Sequence, residues 1–158
     1  MRREIRLGDL NRALSLTEEG WARWRTRPQS QQHWELRLLR AQILALQGRA
    51  REVLELLADQ PPASPAFQLH RIRRLMCLGR ARFLQAEYPE SRRILDEALA
   101  LARAWGDASL QAEIQLWRGS TLARSGEFEA ADAAYCEALE LAERAGDDYL
   151  QAAALGNR

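Results

Sequence analysis

The sequence predicts an all-α fold: a right-handed superhelical solenoid of antiparallel helix pairs. Three observations predict it, namely a motif repeated after forty residues, turn residues that keep register along the chain, and helical spacing of the apolar positions between turns. The motif is LARAWGD at 101–107, which returns as LAERAGD at 141–147. Gly79 and Gly119, Tyr88 and Phe128, Leu95 and Tyr135, Ala98 and Ala138, Leu99 and Leu139, and Gly106 and Gly146 also stand 40 apart. The turns RLGDL (6–10), LQGRA (46–50), LQAEY (84–88) and RSGEF (124–128) share one phase, with Gly8, Gly48, Ala86 and Gly126 spaced 40, 38 and 40. A fixed period of this size marks units that are too small to bury an apolar face alone and must stack on their neighbours.

In chain order the expected helices are 9–26, 31–47, 50–59, 65–86, 89–105, 109–125, 128–145 and one beginning near 148. From Leu69, the residues Ile72, Leu75, Met76, Gly79, Phe83 and Ala86 recur at intervals of three and four, as do Ala131, Ala134, Tyr135, Ala138, Leu139 and Ala142 after Phe128. PPASP at 61–65 breaks the chain between helices, Pro65 and Pro89 suit first helical turns, and Gly106 and Gly146 suit C-terminal caps. Gly79 and Gly119 fall inside helices, where glycine costs about 1 kcal/mol relative to alanine, so each predicts a close contact with another helix. No alternating strand pattern competes. The units fall near 1–27, 30–60, 65–106 and 107–146, with an incomplete one at 147–158, in a single domain spanning 1–158.

Composition agrees with a folded, water-soluble chain: 158 residues, 47% hydrophobic and 28% charged. No stretch reaches the roughly 18 apolar residues of a membrane helix, and Asp9 interrupts the start before a signal peptide could form, so a cytoplasmic location and no membrane partner are expected. Cys77 and Cys136 lack CxxC spacing and read as buried thiols, neither a disulfide nor a zinc site. All 23 basic residues are arginine. The net charge of +1 conceals a dipole, since residues 1–82 carry 16 Arg against 8 acids and residues 83–158 carry 7 Arg against 14 acids.

Groups that could converge for catalysis are scarce. His33 and His70 lie on different expected helices without an HExxH pattern, and GRAR at 79–82 is a helix segment, not a phosphate cradle. Glu137, Glu140 and Glu143 repeat at helical spacing, as a solvated face does. No catalytic residue, metal site or cofactor is expected. The basic run HRIRR at 70–74 raises nucleic-acid binding as an alternative, but Arg73 and Arg80 project from one helix face and Arg71 and Arg82 from another, which splits any phosphate-tracking stripe.

Gly119, Gly126, Phe128, Ala131, Tyr135 and Ala138 form a pattern of small residue, turn glycine, aromatic, Ala, aromatic and Ala, and the unit carrying them resembles a tetratricopeptide repeat. The preceding unit departs from it with Ala86, Ser91 and Leu95, and the first two keep only the turn glycine and small or aliphatic packing positions. HEAT-like repeats have a similar period but lack this turn pattern. Forty-residue units ending in Gly-Asp look like those of large bacterial multidomain proteins, among them signalling regulators and caspase-like CHAT proteases. A fragment of such a protein, with uncapped ends that favour self-association, is therefore expected.

The resemblance implies a non-enzymatic scaffold for a protein or peptide partner, held in a concave groove lined by the first helix of each unit. Carried across residue by residue, the groove positions are Glu35, Leu38 and Gln42, then Arg73, Met76, Arg80 and Phe83, then Glu113, Leu116 and Ser120. Arginines beside Met76 and Phe83 suit a ligand that is acidic and apolar by turns, with Phe83 as anchor. The basic clamp that chaperone-binding members use for a C-terminal carboxylate is missing, because its places hold Leu38, Gln42, Cys77, Glu113 and Trp117. Core packing is the other reading of the apolar groove members. A structural spacer or self-association module is the alternative for the whole chain.

Overall fold

The computed structural model describes residues 10–158; the turn at 6–10 with Gly8, the first residue of the helix expected at 9–26 and the start of the unit 1–27 lie outside the described residues. Among the described residues there are eight α-helices and no strand: α1 (Leu10–Trp24), α2 (Gln31–Leu46), α3 (Ala50–Leu56), α4 (Gln68–Leu84), α5 (Tyr88–Trp105), α6 (Ala108–Arg124), α7 (Phe128–Ala145) and α8 (Asp148–Asn157). The expected helix at 65–86 begins with a single 3-10 turn, Pro65–Phe67, before α4 proper.

Three core clusters show why stacking is obligatory. One joins Leu38, Leu44 and Ala45 of α2 and Val53 of α3 to Cys77 and Ala81 of α4. The next joins Ile72 and Met76 of α4 and Leu95, Ala98 and Leu99 of α5 to Leu110 and Ile114 of α6. A third joins Leu116 and Leu122 of α6 and Tyr135 and Ala138 of α7 to Leu150 and Ala154 of α8. Each hairpin is thus closed by the first helix of the next, and a fully buried leucine such as Leu95 contributes about 1.5–3 kcal/mol only when that helix is present.

The repeated Gly-Asp has a double role. Gly106 and Gly146 close α5 and α7 in the left-handed conformation, with φ of 82° and 65°. Asp107 and Asp147 then cap the next helices, accepting hydrogen bonds from the backbone N–H of Leu110 at 3.0 Å and Leu150 at 3.2 Å. Two residues therefore end one helix and begin another. The caps of successive repeats also touch, since the Ser109 hydroxyl donates to Asp147 Oδ2 at 3.2 Å.

The α3 helix is shorter than the expected 50–59. Pro61 and Pro62 cannot continue the hydrogen-bond ladder and disfavour helical backbone in the residues before them. Two arginines satisfy the carbonyls left free: Arg37 Nε donates to Leu56 O, while Arg74 Nε donates to Leu57 O at 3.0 Å and to Asp59 O at 2.8 Å. Arg37 also pairs with Asp59 at 2.8 Å and stacks 4.8 Å above the Trp34 ring.

Candidate interaction groove

First helices of successive hairpins lie side by side, so that α2 meets α4 and α4 meets α6. Where the three run together, Gln42 and Ala45 of α2, Met76, Cys77 and Arg80 of α4, and Glu113 and Trp117 of α6 line one depression. Four of the ten expected groove residues meet there: Gln42, Met76, Arg80 and Glu113. Its enclosed volume is about 10 Å³, room for about one water, so the depression is the floor of a surface and not a pocket for a small molecule.

Charge and aromatic faces are set against each other on this floor. The Arg80 guanidinium lies 4.4 Å above the Trp117 ring, and its Nε is buried without a hydrogen-bond partner. Burial lowers the Arg80 pKa, opposed by the nearby Cys77 and Glu113. Burial raises the Glu113 pKa above the ordinary carboxylate range, against the pull of Arg80 and Arg73. Cys77 is pushed up to about 12, chiefly by burial, which keeps it a thiol at neutral pH and no nucleophile.

Phe83 is half-buried in an aromatic row, its ring 5.8 Å from Trp117 and 5.9 Å from Tyr88. Arg73 is half-buried on α4, less than one turn before Met76 and about two turns before Arg80, and Glu35 is exposed on α2. Leu38 and Leu116, 3% and 8% exposed, are packed into the core between helices, which is the other reading given to the apolar members. Ser120 is half-buried, donating to Leu116 O at 3.0 Å and accepting from the Tyr135 hydroxyl at 3.3 Å. Sequence reasoning missed Trp117 and Ala45 as members of the floor. The signal was available, because Trp117 stands four after Glu113 and Ala45 three after Gln42, spacings that share a helix face.

The remaining chemistry-bearing residues are dispersed. His33 is buried beside Trp21 and Trp34, with Nδ1 3.1 Å from Trp24 O, and His70 lies on α4 beside Phe67. Cys136 is only half-buried, not buried as the sequence suggested, because its α7 position faces Asp132 near the surface. Glu140 and Glu143 do form a solvated face, but Glu137 is tied in, accepting from Arg103 at 2.6 Å and from Gln115 Nε2. Among the described residues no helix is long and apolar enough to cross a membrane.

The family model described as tetratricopeptide repeat matches residues 71–144, which run from α4 to the end of α7. Residues 71–144 are similar to tetratricopeptide repeats. No curated protein matches the chain. The match covers Gly79, Gly106 and Gly119 of the forty-residue echo, stops short of Gly146, and takes in the α4 and α6 sides of the groove floor, whereas α2, which supplies Gln42 and Ala45, lies before it. A tetratricopeptide repeat suggests a protein–protein interaction scaffold.

Proposed function

We propose that the chain is a non-enzymatic, cytoplasmic scaffold whose concave groove, on the faces of α2, α4 and α6, holds a peptide segment or an adjoining domain that is acidic and apolar by turns. The observation that carries this reading is the floor itself: Arg80 stacked on Trp117 with a buried Nε left without a partner, beside Met76 and Gln42. A guanidinium fixed on an aromatic ring loses little side-chain freedom when a carboxylate docks, and Phe83 and Trp117 supply apolar area beside it. The unit boundaries given above and the right-handed superhelix belong to the same proposal. The forty-residue period supports placement within a larger bacterial regulator or CHAT-type protease.

Capture of partners from the source cell by the wild type and by an Arg73→Glu/Arg80→Glu variant tests the reading. Proteins with acidic, apolar-patterned segments should be retained by the wild type and lost by the variant, with circular dichroism confirming that the variant is helical. Recovery of the same proteins by both would remove the groove arginines from the binding site and favour a spacer or self-association module. A nucleic-acid binder would instead show affinity falling steeply with salt and dependent on Arg71 and Arg82.

A further inference from the structure

The second helix of the hairpin before α4 is unusually short: α3 has 7 residues where α5 and α7 have 18 each. At 1.5 Å per residue the layer of second helices falls about 16 Å short at this one position. The face of α4 that points away from the groove is left at the bottom of a cleft of about 340 Å³, walled by Leu54 and Pro61 on one side and by Ile94, Glu97 and Leu101 of α5 on the other. Its floor is formed by Arg71, Arg74, Leu75, Leu78 and Arg82 of α4. These positions lie on the opposite side of the α4 helix from Arg73, Met76 and Arg80, as the 100° step between residues requires.

The neighbouring junction shows what a full-length second helix does. Between α5 and α7 the surface is laced by ion pairs, Arg92–Glu127 at 2.8 Å and Arg103–Glu137 at 2.6 Å. Among the described residues no ion pair joins α3 to α5. The cleft lining instead carries four arginines (71, 74, 82, 93) and two glutamates (90, 97), a net charge of +2. Arg93 is bound to Glu90 on its own helix and Arg82 to Glu87, while Arg74 holds backbone carbonyls. Arg71 has no counter-ion among the described residues.

We infer that this cleft docks an acidic amphipathic helix of a protein partner, about three turns long, which lies across the mouth where the rest of α3 would run. Its apolar side chains fill the cleft against Leu75, Leu78 and Leu101, and its carboxylates meet Arg71 and Arg82. The volume accommodates a row of side chains and not a whole helix, which places the helix axis at the rim. Length, the leucines set among the arginines of the floor, and the positive balance together choose the occupant. The surface is separate from the concave groove, so its failure leaves the groove reading intact.

The probe is the peptide of residues 128–145, FEAADAAYCEALELAERA, made with Cys136→Ser and a fluorophore; it has the length of a second helix, an apolar seam, and five acids against one arginine. Fluorescence anisotropy should show saturable binding to the full chain. Arg71→Glu/Arg82→Glu should weaken it by at least about tenfold, as should replacing the peptide's acids by amides, whereas Arg73→Glu/Arg80→Glu should leave it unchanged. Arg71→Glu alone, at a side chain with no ion pair to lose, should weaken binding in the same direction without moving the melting temperature. Absence of binding at about 1 mM peptide, equal affinity for the amide peptide, binding lost only with Arg73 and Arg80, or displacement by a single-stranded oligonucleotide that binds more tightly would each overturn the proposal.

Discussion

Gly119 of α6 lies directly under the ring of Tyr135 in α7: a Cβ added at 119 would stand 2.5 Å from Tyr135 Cε1 and 2.7 Å from Cδ1. Gly79 of α4 repeats the relationship forty residues earlier, with Leu95 Cγ at 2.7 Å. The glycine lets the two helices of a hairpin approach closely, and the residue sixteen positions on fills the space where a side chain would otherwise be. Gly119→Ala should therefore destabilise despite the better helix propensity of alanine, by about 1–3 kcal/mol, because an aromatic ring 5% exposed has nowhere to move. Gly156→Ala in α8, where a Cβ meets nothing within 4 Å, should be neutral or stabilising by up to about 1 kcal/mol. Urea denaturation of both variants checks the contrast; equal shifts would mean that the close approach is not what Gly119 provides.

Asp107 and Asp147 each cap a helix through a backbone N–H, at Leu110 and Leu150. Asp107→Ala should cost about 1 kcal/mol, and Asp107→Asn, which keeps an accepting oxygen, much less. Asp147→Ala should also loosen the junction between repeats, because Ser109 loses its acceptor. Hydrogen exchange at the first turn of α8 should rise in that variant and remain as in the wild type at α2.

The end of α3 rests on Arg37, whose side chain is 10% exposed and donates to Leu56 O and Asp59. Arg37→Met preserves the apolar stem over Trp34 and removes the guanidinium, leaving the part-buried Leu56 carbonyl without its donor. A loss of about 1–3 kcal/mol is expected. Asp59→Asn should have a distinctly smaller effect, since that carboxylate is 77% exposed at its side chain and solvent screens the pair. If Asp59→Asn is the more damaging of the two, the ion pair and not the carbonyl capping holds α3 in place.

Register was legible in the sequence because it depends on small local causes. Gly106 and Gly146 need a left-handed backbone, Gly79 and Gly119 need room, and both demands appear as glycines forty apart. The unit at Ala86 shows the limit of that signal. Its φ is 60°, so the turn is kept with an alanine in the conformation glycine takes at Gly48 and Gly126. What was not legible came from contacts distant in sequence. Leu38 and Leu116 have the spacing of groove residues but are turned into the core, and Arg37 and Arg74 look like surface cations until the truncated α3 offers them carbonyls. Spacing locates a helix face; it does not say which neighbour covers that face.

Glu113 gives the groove a pH response whose sign can be worked out. Burial raises its folded pKa above the unfolded value, and Arg80 and Arg73 only partly oppose the shift, with Asp147 adding to it. The folded chain therefore binds this proton more tightly than the unfolded chain does. Between the unfolded and folded pKa values, the Glu113 contribution to stability falls as pH rises, the reverse of that from the depressed carboxylates of Asp59, Glu90 and Asp132. Carboxyl NMR of the labelled chain should show Glu113 titrating above Glu52 and Glu90, which their arginine partners hold below the ordinary range. In Arg80→Met its midpoint should move higher still, because the cation that stabilised the carboxylate is gone, while Cys77, Trp117 and Gln42 continue to exclude water from the floor. In Glu113→Gln the decline in stability across this window should disappear. A Glu113 midpoint in the ordinary range, or one that drops when Arg80 is removed, would show that the carboxylate reaches solvent and does not face the groove arginines.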